Sequence, residues 1–217
     1  MDKYVDMWNL MAYDYSGSWD QIAGNDANLF ASNSESSSTP FNGDQAVQHY
    51  KSSGVDPRKI ILGMPLYGRA FTNTRGLGQS FYGVGGGSWE SGIWDYKALP
   101  QPGATEHVLG QEVASFSYDQ EKQLLISYDV PDVIKSKADY VKAQRLGGGM
   151  WWESSGDKSG NDSLVSTVLT IWLCFVCEIV LTCMNQFVDS LGGPEVLDKS
   201  QNGIDYPTSK YTNLRHG

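Results

Sequence analysis

The sequence predicts an α/β protein organised on parallel strands, closed as a barrel or laid out as a doubly wound sheet. Three apolar runs predict it: Val5–Tyr15 (VDMWNLMAYDY), Ile60–Arg69 (IILGMPLYGR) and Gly147–Glu153 (GGGMWWE). Each begins with the continuous hydrophobicity of a buried parallel strand and ends on aromatic and charged side chains. The second observation is the connection between them. Strand, loop, helix and strand follow in order, which is the βα unit that feeds a parallel neighbour. Functional groups in such folds gather where the strands end, so Asp14, Tyr67, Arg69, Trp152 and Glu153 share one predicted rim.

The elements follow in chain order. Tyr15–Gly43 is rich in Ser, Asn, Gly and Asp and reads as a long loop over that rim. Asp44–Ser52 has the spacing of a short amphipathic helix, with Asp44 placed as its cap and Gly54 as its stop. Lys59–Pro65 is the second strand. From Ala70 to Val130 the period shifts toward two in the runs HVLGQEV, ASFSYD and KQLLISYD, and Gly and Pro turns separate them. That texture predicts a small antiparallel α+β insertion over 70–130. Pro131–Leu146 returns to helical spacing, directing Val133, Ile134, Ala138, Tyr140, Val141 and Ala143 to a core. Gly147–Gly149 closes that helix and starts the third strand, along which Trp151 and Trp152 alternate, Trp151 toward the core. Asp129 and Asp132 enter the helix as turn and capping residues.

Composition bounds the partners. The 217 residues, 40% hydrophobic, suffice for one sizeable core and a small appendage. A net charge of -9 excludes a nucleic-acid surface. Seven Trp and twelve Tyr against three His favour stacking on a flat, uncharged ligand such as a sugar, and no metal or cofactor is implied. Cys174, Cys177 and Cys183 all fall in one apolar stretch, where they read as small buried side chains. Its core, 164–184, is apolar but for Glu178, and reads either as a buried last helix or as a membrane segment without flanking Lys or Arg. The start, MDKYVDMW, lacks the features of a signal peptide and leaves the compartment open.

Four ordered blocks carry a resemblance: LMAYDYSGSW (10–19), GMPLYGRAF (63–71), ISYDVPDVIKSKADYV (126–141) and GGGMWWESSGDK (147–158). They are similar to successive blocks of glycoside hydrolase family 18 chitinases, most like the fungal type. The resemblance implies an α/β fold that is part of a (β/α)8 TIM barrel, its last three strands, with a small α+β insertion domain. Residues 1–69 and 131–217 would then belong to the barrel and 70–130 to the insertion. Ile171–Ser190 departs from the family pattern as an anomalous apolar block, and reads as translated intron if not as membrane segment.

The resemblance also implies roles. Tyr13 and Asp14 would hold the N-acetyl group and the sugar at the cleavage subsite. Met11, Tyr67 and Arg69 would line the cleft, Trp152 would form the floor under the reacting sugar, and Trp19 would stack on a sugar further along. The implied ligand is chitin or an N-acetylglucosamine oligosaccharide, and the family is often extracellular. Its chemistry is substrate-assisted: an acid protonates the glycosidic oxygen while the substrate's own acetamido oxygen attacks the anomeric carbon. The family's acid is the Glu of a DxxDxDxE motif, and that motif is absent from these 217 residues. Two functions follow as expectations: a chitinase portion that is inactive alone, or a non-catalytic chitooligosaccharide-binding protein. Asp14 and Glu153 are the two carboxylates at strand ends that could replace the missing acid.

Overall fold

The structure, a computed structural model, describes residues 1–173. Its elements in order are β1 (Trp8–Leu10), α1 (Gly43–Ser52), β2 (Ile60–Pro65), β3 (Tyr67–Thr72), β4 (Ile93–Asp95) and β5 (Thr105–Leu109). There follow β6 (Ala114–Asp119), β7 (Leu124–Ser127), α2 (Pro131–Ala143), β8 (Gly148–Trp152) and α3 (Leu164–Leu173). Three strands pair in parallel in the order β1-β2-β8, and five form an antiparallel sheet in the order β4-β3-β7-β6-β5. The fold class is thus mixed α/β.

The parallel register sets Leu10 beside Leu62 and Pro65 beside Trp152. The three strands therefore end at one edge, and Met11–Asp14, Tyr67 and Glu153 leave from it. Two boundaries differ from the sequence expectation. The first strand spans Trp8–Leu10 alone: before it Lys59 Nζ donates to the Val5 carbonyl at 3.0 Å, and after it the Ala12 amide turns back onto the Leu10 carbonyl at 2.9 Å. The antiparallel sheet already begins at Tyr67, so Tyr67 and Arg69 lie on β3 and not on an extension of β2.

The helices follow their apolar spacing. Val133, Ile134, Ala138, Tyr140 and Val141 of α2 are buried, the first three packing with Met64, Leu66, Ile126, Tyr128 and Leu164. Ala143, expected in the core, is exposed: the last turn of α2 packs Tyr140 and Val141 with Leu62, and Ala143 is left on its solvent side. Asn42, not Asp44, caps α1: its side chain accepts the Gln45 amide at 2.8 Å. Asp44 lies one residue into the helix and accepts the Tyr140 hydroxyl at 2.6 Å, which ties α1 to α2. Asn42→Ala is expected to lower stability by about 1 kcal/mol in a denaturant melt, the usual cost of an N-cap. Gly54, at φ 88°, turns the chain out of α1 as predicted.

The long loop after β1 is the largest departure. Residues 23–29 are buried throughout, where the sequence suggests a loop lying over the rim. The Glu112 carbonyl accepts the Leu29 and Phe30 amides, each at 3.0 Å, and its carboxylate accepts the Ser32 hydroxyl at 2.6 Å. From the other side, Lys137 Nζ donates to the Ala27 carbonyl at 2.6 Å. The loop is thus a fixed wall of the molecule, since its polar backbone is satisfied from α2 and from the β5–β6 turn. Among the described residues, no helix is long and apolar enough to cross a membrane. The apolar block 171–190 enters α3, and its remainder, with all three cysteines, lies outside the described residues.

Candidate functional site

The site grows from the turn that follows β1. Asp14 adopts φ 60°, a left-handed conformation that a non-glycine residue takes only when its surroundings hold it there. Two bonds from one buried residue hold it. Asp26 Oδ1 accepts the Asp14 amide at 3.0 Å, and the Asp26 carbonyl accepts the Tyr15 amide at 2.9 Å. Gly63 gives the turn its room, because a Cβ there would lie 2.5 Å from the Leu10 carbonyl oxygen and 2.9 Å from the Tyr13 ring.

The turn aims the Asp14 carboxylate at β3. Its Oδ1 accepts from Tyr67 Oη at 2.5 Å and from Arg69 Nε at 2.7 Å. Tyr67 is buried and meets Tyr13 edge-on, with ring centroids 6.2 Å apart. Burial first, with the bond to Asp14 adding to it, holds the Tyr67 hydroxyl far above its ordinary pKa, so it acts as a neutral donor. The Arg69 guanidinium lies 4.6 Å from the centre of the Trp19 ring, a cation–π contact that fixes both side chains. Gly17 makes that placement possible, since a Cβ would fall 2.5 Å from the Trp19 ring.

The structure therefore brings Tyr13, Asp14, Trp19, Tyr67 and Arg69 into one contiguous group. Met11 and Trp152 stand at the same edge of the parallel sheet, but both are exposed and bond to none of this group through their side chains. The Trp152 carbonyl accepts the Leu66 amide at 2.7 Å, which ties the end of β8 to the start of β3. Glu153 is held apart. Its carboxylate accepts both the amide and the hydroxyl of Ser155 and caps the turn Ser154–Gly156. The Ser155 hydroxyl holds its pKa below the ordinary value, the wrong direction for a general acid. Glu153 thus caps this turn, and among the described residues no hydrogen bond joins it to Asp14.

Asp26 is the site residue that sequence reasoning overlooked. It is fully buried, and burial first, the Asp14 charge second, push its carboxyl well above the ordinary value. The stretch around it, AGNDANLF, offers only a change from Ser-rich to apolar texture as a signal. Asp129, read as a turn residue, is also buried and pairs with Lys137 at 2.6 Å. Asp132 is an exposed first-turn residue of α2 that bonds Lys135.

Chemically, the group offers a carboxylate with one free oxygen, flanked by a guanidinium and a phenol, beside exposed indoles. Among the described residues nothing donates to Asp14 Oδ2. Such a set suits a neutral, hydroxyl-bearing ligand with a flat apolar face: an indole stacks on that face, and the polar groups orient the edges.

Comparison with known proteins agrees in kind. The family model described as Glycosyl hydrolases family 18 matches residues 1–157. Endochitinase 1 of Metarhizium robertsii is 46% identical over 99% of this chain, which spans 46% of that protein. The catalytic domain of psychrophilic chitinase B from Arthrobacter TAD20 superposes with TM-score 0.68 at 32% identity, over 76% of this chain and 38% of its own. A class V chitinase mutant from Nicotiana tobaccum, solved in complex with NAG4, superposes with TM-score 0.69 at 27% identity, over 79% of this chain and 50% of its own. The chain spans about half the length of the relatives it matches. On the match over residues 1–157 and this likeness to a fungal chitinase, the chain belongs to glycosyl hydrolase family 18.

Proposed function

We propose that the chain carries the sugar-holding part of a chitinase site and binds chitin or N-acetylglucosamine oligosaccharides at the carboxyl edge of β1, β2 and β8. The observation that carries this reading is the convergence of Tyr67 Oη and Arg69 Nε on Asp14 Oδ1. It leaves the second carboxylate oxygen to the ligand and pins the Arg69 and Trp19 pair beside it. In this reading the parallel strands are the last three of a (β/α)8 barrel, with an insertion over 70–130, and Tyr13 and Asp14 position the N-acetyl group. Met11 and Trp152 complete the pocket as apolar contacts, Trp152 under the sugar.

The substrate-assisted reaction of the family needs two things from the protein: orientation of the acetamido oxygen toward the anomeric carbon, and a proton for the departing oxygen. Asp14 and Tyr13 supply the first. These 217 residues supply no DxxDxDxE glutamate for the second, and Glu153 is engaged in its turn. The chain by itself therefore binds without turning over. Calorimetric titration with chitotetraose, run beside release of methylumbelliferone from its chitobioside, tests both halves. Binding without release is the expected outcome. Release that vanishes in Asp14→Ala or Glu153→Ala would show that a carboxylate here serves as the acid.

A further inference from the structure

The Asp14 turn depends on a second carboxyl group whose own surroundings are short of donors. Asp26 is 0% exposed, and among the described residues its Oδ1 accepts only the Asp14 amide, at 3.0 Å. Its Oδ2 is buried without a hydrogen-bond partner. The cations nearby are committed elsewhere. Arg69 Nε bonds Asp14 at 2.7 Å and stands 3.8 Å from Asp26 Oδ1, while Lys137 bonds Asp129 at 2.6 Å. The charged and titratable groups that face Asp26 are Asp14 from the β1 turn, Arg69 and Tyr67 from β3 and Asp129 after β7. Tyr13 and Tyr15 complete the set. Two carboxylates, Asp14 and Asp129, thus oppose ionisation of Asp26, and one guanidinium, already bonded, favours it. An ionised carboxylate buried with a single hydrogen bond is among the costliest arrangements a protein can hold.

We propose that Asp26 is a positioning residue that works as a protonated side chain, accepting the Asp14 amide through Oδ1 and leaving Asp14 the only negative charge bonded to Arg69. The proton has a functional consequence. Were both groups ionised, the guanidinium would be divided between them, and the pull on Asp14 that frees its Oδ2 for a ligand would weaken. A neutral Asp26 keeps the left-handed turn and concentrates the charge at the ligand-facing carboxylate. The functional part rests on the sugar-binding reading above, whereas the protonation state stands on the burial and bonding of Asp26.

The test uses the whole chain and two variants. Asn has the shape of a protonated Asp and keeps an acceptor oxygen, so Asp26→Asn should bind chitotetraose within about twofold of the parent. Asp26→Leu removes the acceptor of a buried amide and should lose about tenfold or more. Equal losses in both variants would overturn the proposal. A second readout needs no sugar. A carboxyl group whose folded pKa is raised contributes stability that is fully present below its unfolded value and is lost as pH rises through the folded one. The melting temperatures of the parent and Asp26→Asn should therefore agree near pH 4 and part as pH rises, with Asp26→Asn higher by at least about 2–4 °C at pH 7. A lower or pH-independent difference would show an ionised Asp26 and sink the idea. If the variants do not fold, carboxyl carbon NMR of the parent decides the protonation state directly: a neutral Asp26 signal at pH 7 supports the proposal and an ionised one overturns it. Failure of the parent to bind sugar would reject the sugar-binding reading alone, with the melting series still deciding Asp26.

Discussion

Asp14→Ala is expected to weaken chitotetraose binding by on the order of 100-fold while leaving the chain folded, as read by calorimetric titration and circular dichroism. The magnitude follows from what one oxygen does. Asp14 Oδ1 accepts both Tyr67 Oη and Arg69 Nε, and hydrogen bonds to a charged partner are each worth about 1.5–3 kcal/mol when one side is deleted. Truncation removes the ligand-facing Oδ2 as well, and frees Arg69 to swing toward Asp26, 3.8 Å away. Asp14→Asn separates these effects, since it keeps an acceptor for Tyr67 but loses the ionic contact with Arg69. Its loss should be intermediate, about tenfold. Tyr67→Phe, which removes a single donor and no charge, should cost less than either. A chain that binds equally well without the Asp14 carboxylate would place the sugar elsewhere on the molecule.

How far the site was legible in the sequence depended on distance along the chain. Asp14 and Tyr67 follow apolar runs whose strands pair in parallel, which brings their exits together, and Arg69 arrives with Tyr67 two residues further along β3. Trp19 follows Asp14 closely, so the same turn delivers it. Asp26 and Lys137 were hidden for a different reason. Polar loop texture and a lysine on a helix both read as solvent-facing, because burial of such groups requires partners that local sequence does not reveal. Here the partners are remote: Glu112 lies 80 residues from Ser32, Lys137 lies 110 from Ala27, and Ser127 lies 101 from Asp26. Helix capping failed on a finer scale. Both Asn42 and Asp44 are good caps, and the Tyr140 hydroxyl draws Asp44 inside the helix.

Lys137→Ala is expected to lower the melting temperature by about 10 °C, the equivalent of breaking one partner of a buried ion pair at about 3–5 kcal/mol. Lys137 and Asp129 are each 3% exposed at the side chain and meet at 2.6 Å. Removing the lysine strands the carboxylate and also leaves the Ala27 carbonyl without its donor. The pair itself is a poor source of stability. Burial holds the Asp129 carboxyl above its ordinary value of 3.8 even against the attraction of Lys137. By linkage, a raised folded pKa means that stability is given up as pH rises from the unfolded value through the folded one. Replacing both partners, Lys137→Met with Asp129→Leu, should therefore recover most of the lost melting temperature. It should not recover sugar affinity in full. What the pair provides is position: Lys137 fixes Ala27, the residue next to Asp26, and Asp26 fixes the Asp14 turn. A double variant that melts like the parent yet binds sugar more weakly would show that this buried pair holds the wall of the site in place, whereas full affinity would mean that Asp26 keeps its position through Ser127 alone.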